Sequence, residues 1–344
     1  MTDMRVTASV VRVPWHTDHG GYDRLLAFLP EAQPVITPPA GRLARRAAAT
    51  AHRAIGRRCP LPFYPPEHFA TDWRIRAARG PAHVLYGDEQ FWFSRRRTAP
   101  TAVTYHQPPA QLQQLLPHDL WKDLAPRADR VITLDPYQRE FFTRYLPPER
   151  VHLVPHGIDT HAFTPAPSPP AGPPLVLTVG WWLRDWNVLD AVHARLHHRY
   201  GRDVELTVVT RQADSRSWPP ATRILQGITE EELIGLYRRA AVVLLPLTGA
   251  TANNALLEAL ACGTPVVASA VGGIPTYAGI GPGCLLVPPG DPAAATEAVE
   301  KVISEAGSSA HAIRRAAARD RAEHFAWPHI ADQTRHVYQL LAED

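Results

Sequence analysis

The sequence has 344 residues, of which 45% are hydrophobic, and a formal net charge of +3 at pH 7; this size suits two domains better than one. The three cysteines, which show no paired spacing, argue against a disulfide framework or a zinc site and favour a reduced, cytoplasmic protein; they are Cys59, Cys262 and Cys284. No apolar run approaches the roughly 20 residues that span a bilayer, and the charged N-terminal segment has no signal-peptide core.

Basic residues are unevenly distributed along the chain, with an excess between residues 39 and 97. Six arginines there fall on an alanine-rich segment that we predict to be helical: Arg42, Arg45, Arg46, Arg53, Arg57 and Arg58. Two interpretations fit this pattern, an ordinary solvated surface and peripheral contact with an anionic inner membrane face through residues 42–58. Few large apolar residues support insertion into lipid, and no nucleic-acid-binding module is recognisable.

Short apolar runs alternate with helical patterns along the chain, which is typical of a parallel α/β architecture. In the first half, we predict a helix at 136–146 and strands at 6–11, 34–37, 83–86, 102–105, 131–134 and 151–154. Six prolines follow within residues 164–174. Because proline has no amide donor and keeps the chain extended, we interpret residues 166–174 as an interdomain linker.

The same pattern begins again after the linker. We predict strands at 175–179, 205–209, 224–225, 242–245, 266–268 and 285–287, and helices at 230–240, 292–305 and 328–342. Thr229 and Glu232 have the spacing of a capping box at the first of these helices. The sequence therefore predicts two Rossmann-like domains, 1–165 and 175–327, with the carboxyl ends of both sheets facing a central cleft. The final segment, 328–344, is expected to pack back on the first domain.

Residues 249–275 combine the features of a nucleotide site. Small residues precede a short helix, and the open N–H groups and dipole of a helix start favour an anion. Glu258 follows on that helix, where a carboxylate can accept hydrogen bonds from sugar hydroxyls. A phosphate site next to a carboxylate that can bind sugar hydroxyls predicts a nucleotide or a nucleotide sugar as the ligand.

Four segments, in the order found in the family, resemble the retaining glycosyltransferases of family 4, which have the GT-B fold. They are 151–165 (VHLVPHGIDTHAFTP), 236–246 (LYRRAAVVLLP), 257–273 (LEALACGTPVVASAVGG) and 325–331 (FAWPHIA). The resemblance implies transfer of a sugar from a UDP- or GDP-linked donor, with retained anomeric configuration and without a metal or other cofactor. The sequence has no Asp-x-Asp pair, so leaving-group charge must be met by helix N-termini and fixed cations.

The resemblance also implies roles for residues of the second domain. Glu258 matches the glutamate that binds the ribose, whereas Ala250 stands where the family has a glutamate for the donor sugar. Asn253 or Asn254 either replaces that sugar contact or caps the helix. The other expected donor contacts are Gly180, Gly227, Thr251 and Leu257.

The segment 180–187 (GWWLRDWN) corresponds to the family's diphosphate clamp. Trp181 and Trp186 occupy the positions of its arginine and lysine, so Arg184 is the only cation left in the loop. A guanidinium suits bidentate contact with phosphate oxygens. Arg184 is therefore the diphosphate candidate, and a salt bridge with Asp185 is the alternative.

Residues of the first domain match the family at two places. Gly20 and Gly21 match the glycine loop that approaches the donor phosphate, where a side chain would block the backbone; an ordinary tight turn is the alternative. His106 ends a predicted strand and matches a histidine near the transferred sugar. Acceptor contacts are expected from His16, His19 and Tyr22.

The sequence thus predicts a retaining, metal-independent glycosyltransferase with His106 and Arg184 as its catalytic candidates. The expected acceptor is a glycan, a lipid-linked molecule or a natural product. Two alternatives stay open: a nucleotide-sugar epimerase of the same fold, and a non-catalytic nucleotide-sugar binder, which the alanine at Ala250 suggests.

Overall fold

The computed structural model of the protein describes residues 5–11, 18–37, 42–61, 64–168 and 172–343. Within these ranges the chain divides into two compact units. The first unit contains the residues up to His156, apart from 18–20, together with the C-terminal residues from Trp327 onward. The second unit contains residues 18–20 and the chain from Gly157 to Ala326.

The first unit is built on a sheet of six parallel strands. They are β1 (Val6–Val11), β2 (Ala32–Thr37), β3 (Ala82–Val84), β4 (Thr101–Thr104), β5 (Arg130–Thr133) and β6 (Val151–Leu153). Their order across the sheet is β2-β1-β3-β4-β5-β6. Successive strands are therefore added on one side of β1 and then, from β3 onward, on the other side. The carboxyl ends of β1 and β3 form a switch point, where open α/β sheets bind ligands.

The second unit has a second six-stranded parallel sheet. Its strands are β7 (Leu175–Val179), β8 (Glu205–Val209), β9 (Thr222–Leu225), β10 (Val242–Leu245), β11 (Val266–Ser269) and β12 (Cys284–Val287). The order β12-β11-β10-β7-β8-β9 puts its switch point at the carboxyl ends of β7 and β10. All four residues of β10 are buried, as expected for a central parallel strand with helices on both faces.

Helices connect most of these strands, and none of the described helices is long and apolar enough to span a membrane. In chain order they are α1 (Arg42–Ala54), α2 (Pro66–Ala77), α3 (Gly87–Gln90), α4 (Pro109–Leu115), α5 (His118–Leu124), α6 (Pro136–Phe142), α7 (Trp186–Tyr200), α8 (Glu230–Arg239), α9 (Asn254–Ala261), α10 (Ile274–Ala278), α11 (Pro292–Ser304), α12 (Ser309–Glu323) and α13 (Trp327–Ala342). In the first unit, α13 packs on the short 3₁₀ helix Tyr22–Phe28, and its Tyr338 hydroxyl lies 2.7 Å from the Nδ1 of His83.

The predicted parallel α/β architecture is confirmed, and each of the twelve predicted strands overlaps an observed one. The predicted capping box is also present, because Thr229 Oγ1 accepts from the Glu232 amide at 3.2 Å while the Glu232 carboxylate accepts from the Thr229 amide at 2.7 Å. The helix predicted at 136–146 is shorter, and ends at Phe142.

The boundary between the two units lies after His156. The sequence pattern instead predicts a first domain that extends to residue 165. The amide of Ile158 donates to the carbonyl of Phe325 at 2.9 Å, and the Phe163 ring is buried in the second hydrophobic core. Residues 157–165 thus belong to the second unit by packing. Of the predicted linker, residues 169–171 lie outside the described ranges.

Candidate functional site

Backbone hydrogen bonds join the loops at the switch point of the second sheet. The Asp185 amide donates to the carbonyl of Pro246 at 2.9 Å, and the Thr248 amide donates to the carbonyl of Leu183 at 2.9 Å. The loop after β7 is thereby fastened to the loop after β10, which leads into α9. The structure therefore brings Gly180, Arg184, Thr251 and Asn253, all predicted from sequence, to one edge of the sheet.

Two glycines permit the close packing of these loops. Gly180 has φ +98°, and a Cβ there would lie 2.7 Å from Nη2 of Arg184. Gly272, in the turn after β11, has φ +49°, and its Cβ would lie 1.9 Å from the carbonyl oxygen of Ala250. Both positions require glycine because L-residues rarely adopt positive φ and because the space is already filled.

The Arg184 side chain is buried, with 8% of its surface exposed. Its Nε donates to the carbonyl of Val179 at 3.1 Å, Nη2 donates to the same oxygen, and Nη1 lies 3.5 Å from the carbonyl of Trp182. Burial lowers the pKa of Arg184 to about 10. Among the described residues no carboxylate pairs with this guanidinium; Asp185 caps α7 instead, accepting from the Val188 amide at 3.1 Å.

Glu258 lies on α9 with 7% of its surface exposed. The Tyr237 hydroxyl donates to its carboxylate at 2.8 Å. The pKa of Glu258 is raised to about 7, mainly by burial and in small part by the negative charge of Glu230, while the Tyr237 hydrogen bond opposes the rise. Arg184 in turn opposes the rise in the pKa of the buried Tyr237. Tyr237, which the sequence did not identify as a site residue, thus interacts with both predicted residues, Arg184 and Glu258.

The start of α9 agrees with the helix-cap alternative and not with the sugar-contact alternative for the side chain of Asn253. Asn253 is the N-cap, and its side-chain oxygen accepts from the amide of Leu256 at 3.1 Å, so the capping alternative describes its side chain. Asn254 is exposed on the first turn, and Thr251 is buried. The Leu257 side chain packs in the core, which leaves it no surface for a donor contact.

A histidine and a glutamate meet at the start of α8. The carboxylate of Glu230 accepts from the His19 amide at 3.1 Å, and its other oxygen lies 2.6 Å from Nδ1 of His19. His19 was predicted to contact the acceptor, and its ring is here held by Glu230. Gly227 precedes this helix with φ +66° and open space around it, which leaves its backbone accessible to a ligand.

The tryptophans of the loop after β7 have different surroundings. The Arg211 guanidinium carbon lies 4.9 Å from the centroid of the Trp181 ring. The Trp186 ring is half-buried and packs edge-on against Trp218 at 5.3 Å, so it contributes to the core. Trp182 is 48% exposed.

In the first unit, His106 follows β4 and its ring is fixed on two sides. Its Nε2 donates to the carbonyl of Leu85 at 2.7 Å, and the ring stacks on Tyr86 at 4.6 Å. The His106 amide donates to the buried carboxylate of Asp88 at 2.6 Å. Burial raises the pKa of Asp88 to about 7. Asp88 therefore positions the loop that carries His106, a role that the sequence did not predict.

The other predicted residues of the first domain differ in their accessibility. Gly21 has φ +94°, a conformation that explains the glycine, and Gly20 is half-buried. The Tyr22 ring is 1% exposed and lies 4.8 Å from the ring of His106; burial raises its pKa to about 12. This burial argues against the predicted acceptor contact of Tyr22. His16 lies outside the described residues.

Four residues at these edges were missed by the sequence reasoning: Asp88, Arg211, Glu230 and Tyr237. Each of these residues contacts a residue that is distant in the sequence, so the spacing of motifs does not reveal it. A titratable side chain just after a predicted strand was the available clue for Asp88. Across the described ranges, no group of three or more His, Cys, Asp or Glu side chains could hold a metal ion.

Two family models match the sequence in consecutive blocks. Residues 16–162 match the family described as Glycosyltransferase Family 4, and residues 174–305 match the one described as Glycosyl transferases group 1. The chain belongs to the glycosyltransferases of family 4. The resemblance seen in the four sequence segments is thus confirmed.

Two known proteins match part of the chain. An alpha-maltose-1-phosphate synthase from Mycolicibacterium smegmatis is 33% identical over 251 residues, which are 62% of this chain and 64% of the relative. A D-inositol 3-phosphate glycosyltransferase from Stackebrandtia nassauensis is 31% identical over 218 residues, 56% of this chain and 49% of the relative. The chain therefore spans less than two thirds of either relative's length.

A solved structure shows the fold of this family 4 chain. The Anabaena protein HepE in complex with UDP-glucose has a TM-score of 0.68 at 13% identity, and the match covers 98% of this chain and 99% of that one. With its two six-stranded parallel sheets, the chain has the predicted GT-B fold.

Proposed function

We propose that this chain transfers a glycosyl group from a UDP- or GDP-linked sugar to an acceptor, with retention of the anomeric configuration and without a metal ion. The observation that carries the proposal is the buried guanidinium of Arg184 at the switch point of the second sheet, without a carboxylate partner in the described ranges. Burial of an uncompensated charge costs several kcal/mol. A donor diphosphate at this edge would supply the missing negative charge.

The start of α9 supports the same ligand. The loop from Ala250 to Asn253 leads into this helix, whose first amides have no intrahelical acceptor and whose dipole favours an anion. The Asn253 side chain caps the helix at the Leu256 amide, which keeps the end of the helix rigid. Diphosphate oxygens would receive hydrogen bonds from these amides and from Arg184.

Glu258 is the proposed ribose ligand. An ionised carboxylate accepts hydrogen bonds from two hydroxyls, and the Tyr237 hydroxyl already orients one of its oxygens. Bound hydroxyls would donate to the charged form and so lower the raised pKa of Glu258. The ribose, which binds best to the ionised carboxylate, would thus itself stabilise the ionised form of Glu258.

The proposed chemical step is a front-face displacement in which the leaving phosphate helps to deprotonate the acceptor, because no carboxylate of the described residues is an evident nucleophile. Arg184 would stabilise the charge that develops on the leaving diphosphate. His106 would face the transferred sugar. The hydrogen bond from its Nε2 to the Leu85 carbonyl orients the ring.

The proposed acceptor is a glycan, a lipid-linked molecule or a natural product. The names of the two relatives include a sugar phosphate and an inositol phosphate, so phosphorylated sugars and polyols belong in the acceptor screen. Several arginines of α1 are exposed, and Leu43 beside them is 81% exposed. We propose that this face makes peripheral contact with anionic lipid, which co-sedimentation with anionic and neutral vesicles would test.

A thermal-shift screen with nucleotides and nucleotide sugars is the first test. A ligand at 100 times its dissociation constant stabilises the folded protein by about 2.7 kcal/mol. The donor found in this way is then incubated alone and with the acceptor panel, and Glu258→Ala is assayed beside the wild type. We expect transfer only with an acceptor, and loss of donor affinity in the variant.

Three results would contradict the proposal in different ways. Conversion of the donor without any acceptor would indicate an epimerase. Tight donor binding with neither hydrolysis nor transfer would indicate a binding protein. Unchanged donor affinity in Glu258→Ala would remove Glu258 from the donor site.

A further inference from the structure

Tyr237 connects two helices of the second unit at the proposed ribose ligand. It lies near the end of α8, its side chain is fully buried, and its hydroxyl donates to Oε2 of Glu258 at 2.8 Å. The two residues are 21 positions apart in the sequence, and Glu258 lies on the next helix, α9. A group that fixes this carboxylate also acts on any sugar hydroxyls that the carboxylate binds.

Tyr237 is itself held in place on two sides. Its ring packs in the hydrophobic core of the second unit, and its backbone carbonyl accepts from the Thr264 hydroxyl at 2.6 Å. The Thr264 amide in turn donates to the carbonyl of Ala259 on α9 at 2.8 Å. Burial raises the pKa of Tyr237 well above its usual value, so the hydroxyl keeps its proton and stays a hydrogen-bond donor. Its direction relative to α9 is therefore set by the packing.

The hydrogen bond from Tyr237 restricts the orientation of the Glu258 carboxylate. The last torsion of a glutamate side chain has broad minima, so an unrestrained carboxylate rotates easily. Among the described residues no other hydrogen-bond donor contacts this carboxylate. An ionised carboxylate can accept at about four positions, of which Tyr237 occupies one. The remaining positions are thus available in one fixed orientation.

The same hydrogen bond favours the charged form of Glu258. Burial is the main reason that the pKa of this carboxyl is raised, and the hydrogen bond from Tyr237 opposes the rise. A donor that bonds the ionised form stabilises it, and sugar hydroxyls bind best to that form. Without the Tyr237 hydroxyl, the carboxyl would be less well oriented and would take up a proton at a higher pH.

On the basis of the proposed function, we propose that Tyr237 is a positioning residue of the donor site. Its hydroxyl fixes the Glu258 carboxylate so that the carboxylate accepts from the 2′- and 3′-hydroxyls of a ribonucleotide and discriminates against a 2′-deoxyribonucleotide. The alternative is that the hydrogen bond only satisfies a buried hydroxyl. Tyr338 offers the comparison, because its hydroxyl is also buried and lies 2.7 Å from Nδ1 of His83 in the first unit.

The test is calorimetric titration with UDP, GDP and their 2′-deoxy forms, which gives the affinity ratio of ribo- to deoxyribonucleotide for each base. In the wild type this ratio should be about 10 to 100, because the deoxy form lacks a hydrogen bond to a charged group. Tyr237→Phe removes only the hydroxyl and should lower the ratio by about 3- to 10-fold. Tyr338→Phe is the matched control and should keep the wild-type ratio. Both ligands are titrated into the same sample, so loss of folded protein cancels in the ratio.

Two further measurements show whether Tyr237 acts through Glu258. The double variant Tyr237→Phe/Glu258→Gln should bind UDP and GDP as Glu258→Gln alone does, since coupled residues are not additive. The affinity ratio should fall as the pH decreases from about 8 to about 5, and in Tyr237→Phe the fall should begin at a higher pH. Protonation of the phosphates affects both ligands equally and does not change the ratio.

Other titratable groups surround α9 and stay in place when Tyr237 loses its hydroxyl. The strands packed on this helix, β10 and β11, carry no titratable side chain. The groups on the neighbouring elements and on α9 itself are Arg184, Glu230, Arg238, Cys262, Arg315 and Arg319. Because all of them are retained in Tyr237→Phe, a changed pH profile reports the loss of the hydroxyl.

The outcomes separate this role from the proposed function. With a wild type that discriminates between the sugars, a wild-type ratio or pH profile in Tyr237→Phe would overturn the role of Tyr237 alone. An equal fall in Tyr338→Phe, or a further loss of affinity in the double variant, would overturn it as well. A wild type that binds ribo- and deoxyribonucleotides equally would remove Glu258 from the ribose. A wild type that binds no nucleotide would overturn the proposed function itself.

Discussion

Replacing Glu258 with glutamine is expected to stabilise the second unit above neutral pH and to weaken nucleotide binding. The Glu258 carboxyl is buried and accepts a hydrogen bond from the Tyr237 hydroxyl at 2.8 Å. Glutamine has nearly the same volume, and its side-chain oxygen can accept the same hydrogen bond. The substitution therefore removes the ionisable group while keeping the packing.

The magnitude follows from the pKa of Glu258, which burial raises from 4.5 to about 7. Between these pH values the unfolded chain binds fewer protons at this carboxyl than the native state does, so wild-type stability falls as the pH rises. At about 1.4 kcal/mol per pH unit, the wild type loses about 3 kcal/mol by the time the group is ionised in both states. Glu258→Gln does not titrate and avoids this loss.

The assay is urea unfolding of the wild type and Glu258→Gln, followed by tryptophan fluorescence at about pH 4 and about pH 8. The variant should match the wild type at the lower pH and exceed its free energy of unfolding by about 3 kcal/mol at the higher pH. Glu231→Gln is the control, because Glu231 is exposed on α8 and should give no pH-dependent difference. Calorimetry with UDP and GDP measures the accompanying loss of affinity.

Two results would refute this reasoning separately. If Glu258→Gln were less stable than the wild type at about pH 8, the native carboxyl would not be destabilised by burial. If the variant kept wild-type nucleotide affinity, the charge of Glu258 would not serve a ribose.

Three further predictions concern the loops around this carboxyl. Gly272→Ala should lose about 1–3 kcal/mol more stability than Gly290→Ala in chemical unfolding, because both have positive φ but only the first would place a Cβ against the Ala250 carbonyl; equal losses would contradict this. Asn253→Ala and Asp291→Ala each remove a helix N-cap and should cost about 1 kcal/mol, yet calorimetry should find weaker diphosphate binding only in the former. Glu230→Gln should speed hydrogen exchange in the N-terminal segment bonded to it, and an unchanged exchange rate would show that the hydrogen bonds between Glu230 and His19 do not hold that segment.

The sequence alone determined the secondary-structure elements of this protein and the start of α9. Apolar runs bounded by turn residues located the twelve strands, because parallel strands covered on both faces must be apolar throughout. The capping box at Thr229 and the helix that follows Asn253 were also predictable, since capping depends on residues only a few positions apart. The family resemblance added Glu258 and Arg184.

Tertiary structure decided which of these residues remain accessible and what they contact. Tyr22 was predicted to meet the acceptor, but the surrounding aromatic rings bury it. Residues 157–165 belong to the second unit because Phe163 packs in its core, a preference that local composition does not reveal.

The charges at the switch point of the second sheet were likewise set by the fold. Arg184 became a buried cation only when the loop after β7 folded back on the end of its own strand. Arg211 reached Trp181 because parallel pairing of β7 and β8 aligned two strand ends that are distant in sequence. Periodicity and spacing describe residues that are neighbours along the chain. Burial and electrostatic contacts depend on residues that are neighbours in space, and in this unit the strand order helps to decide which residues those are.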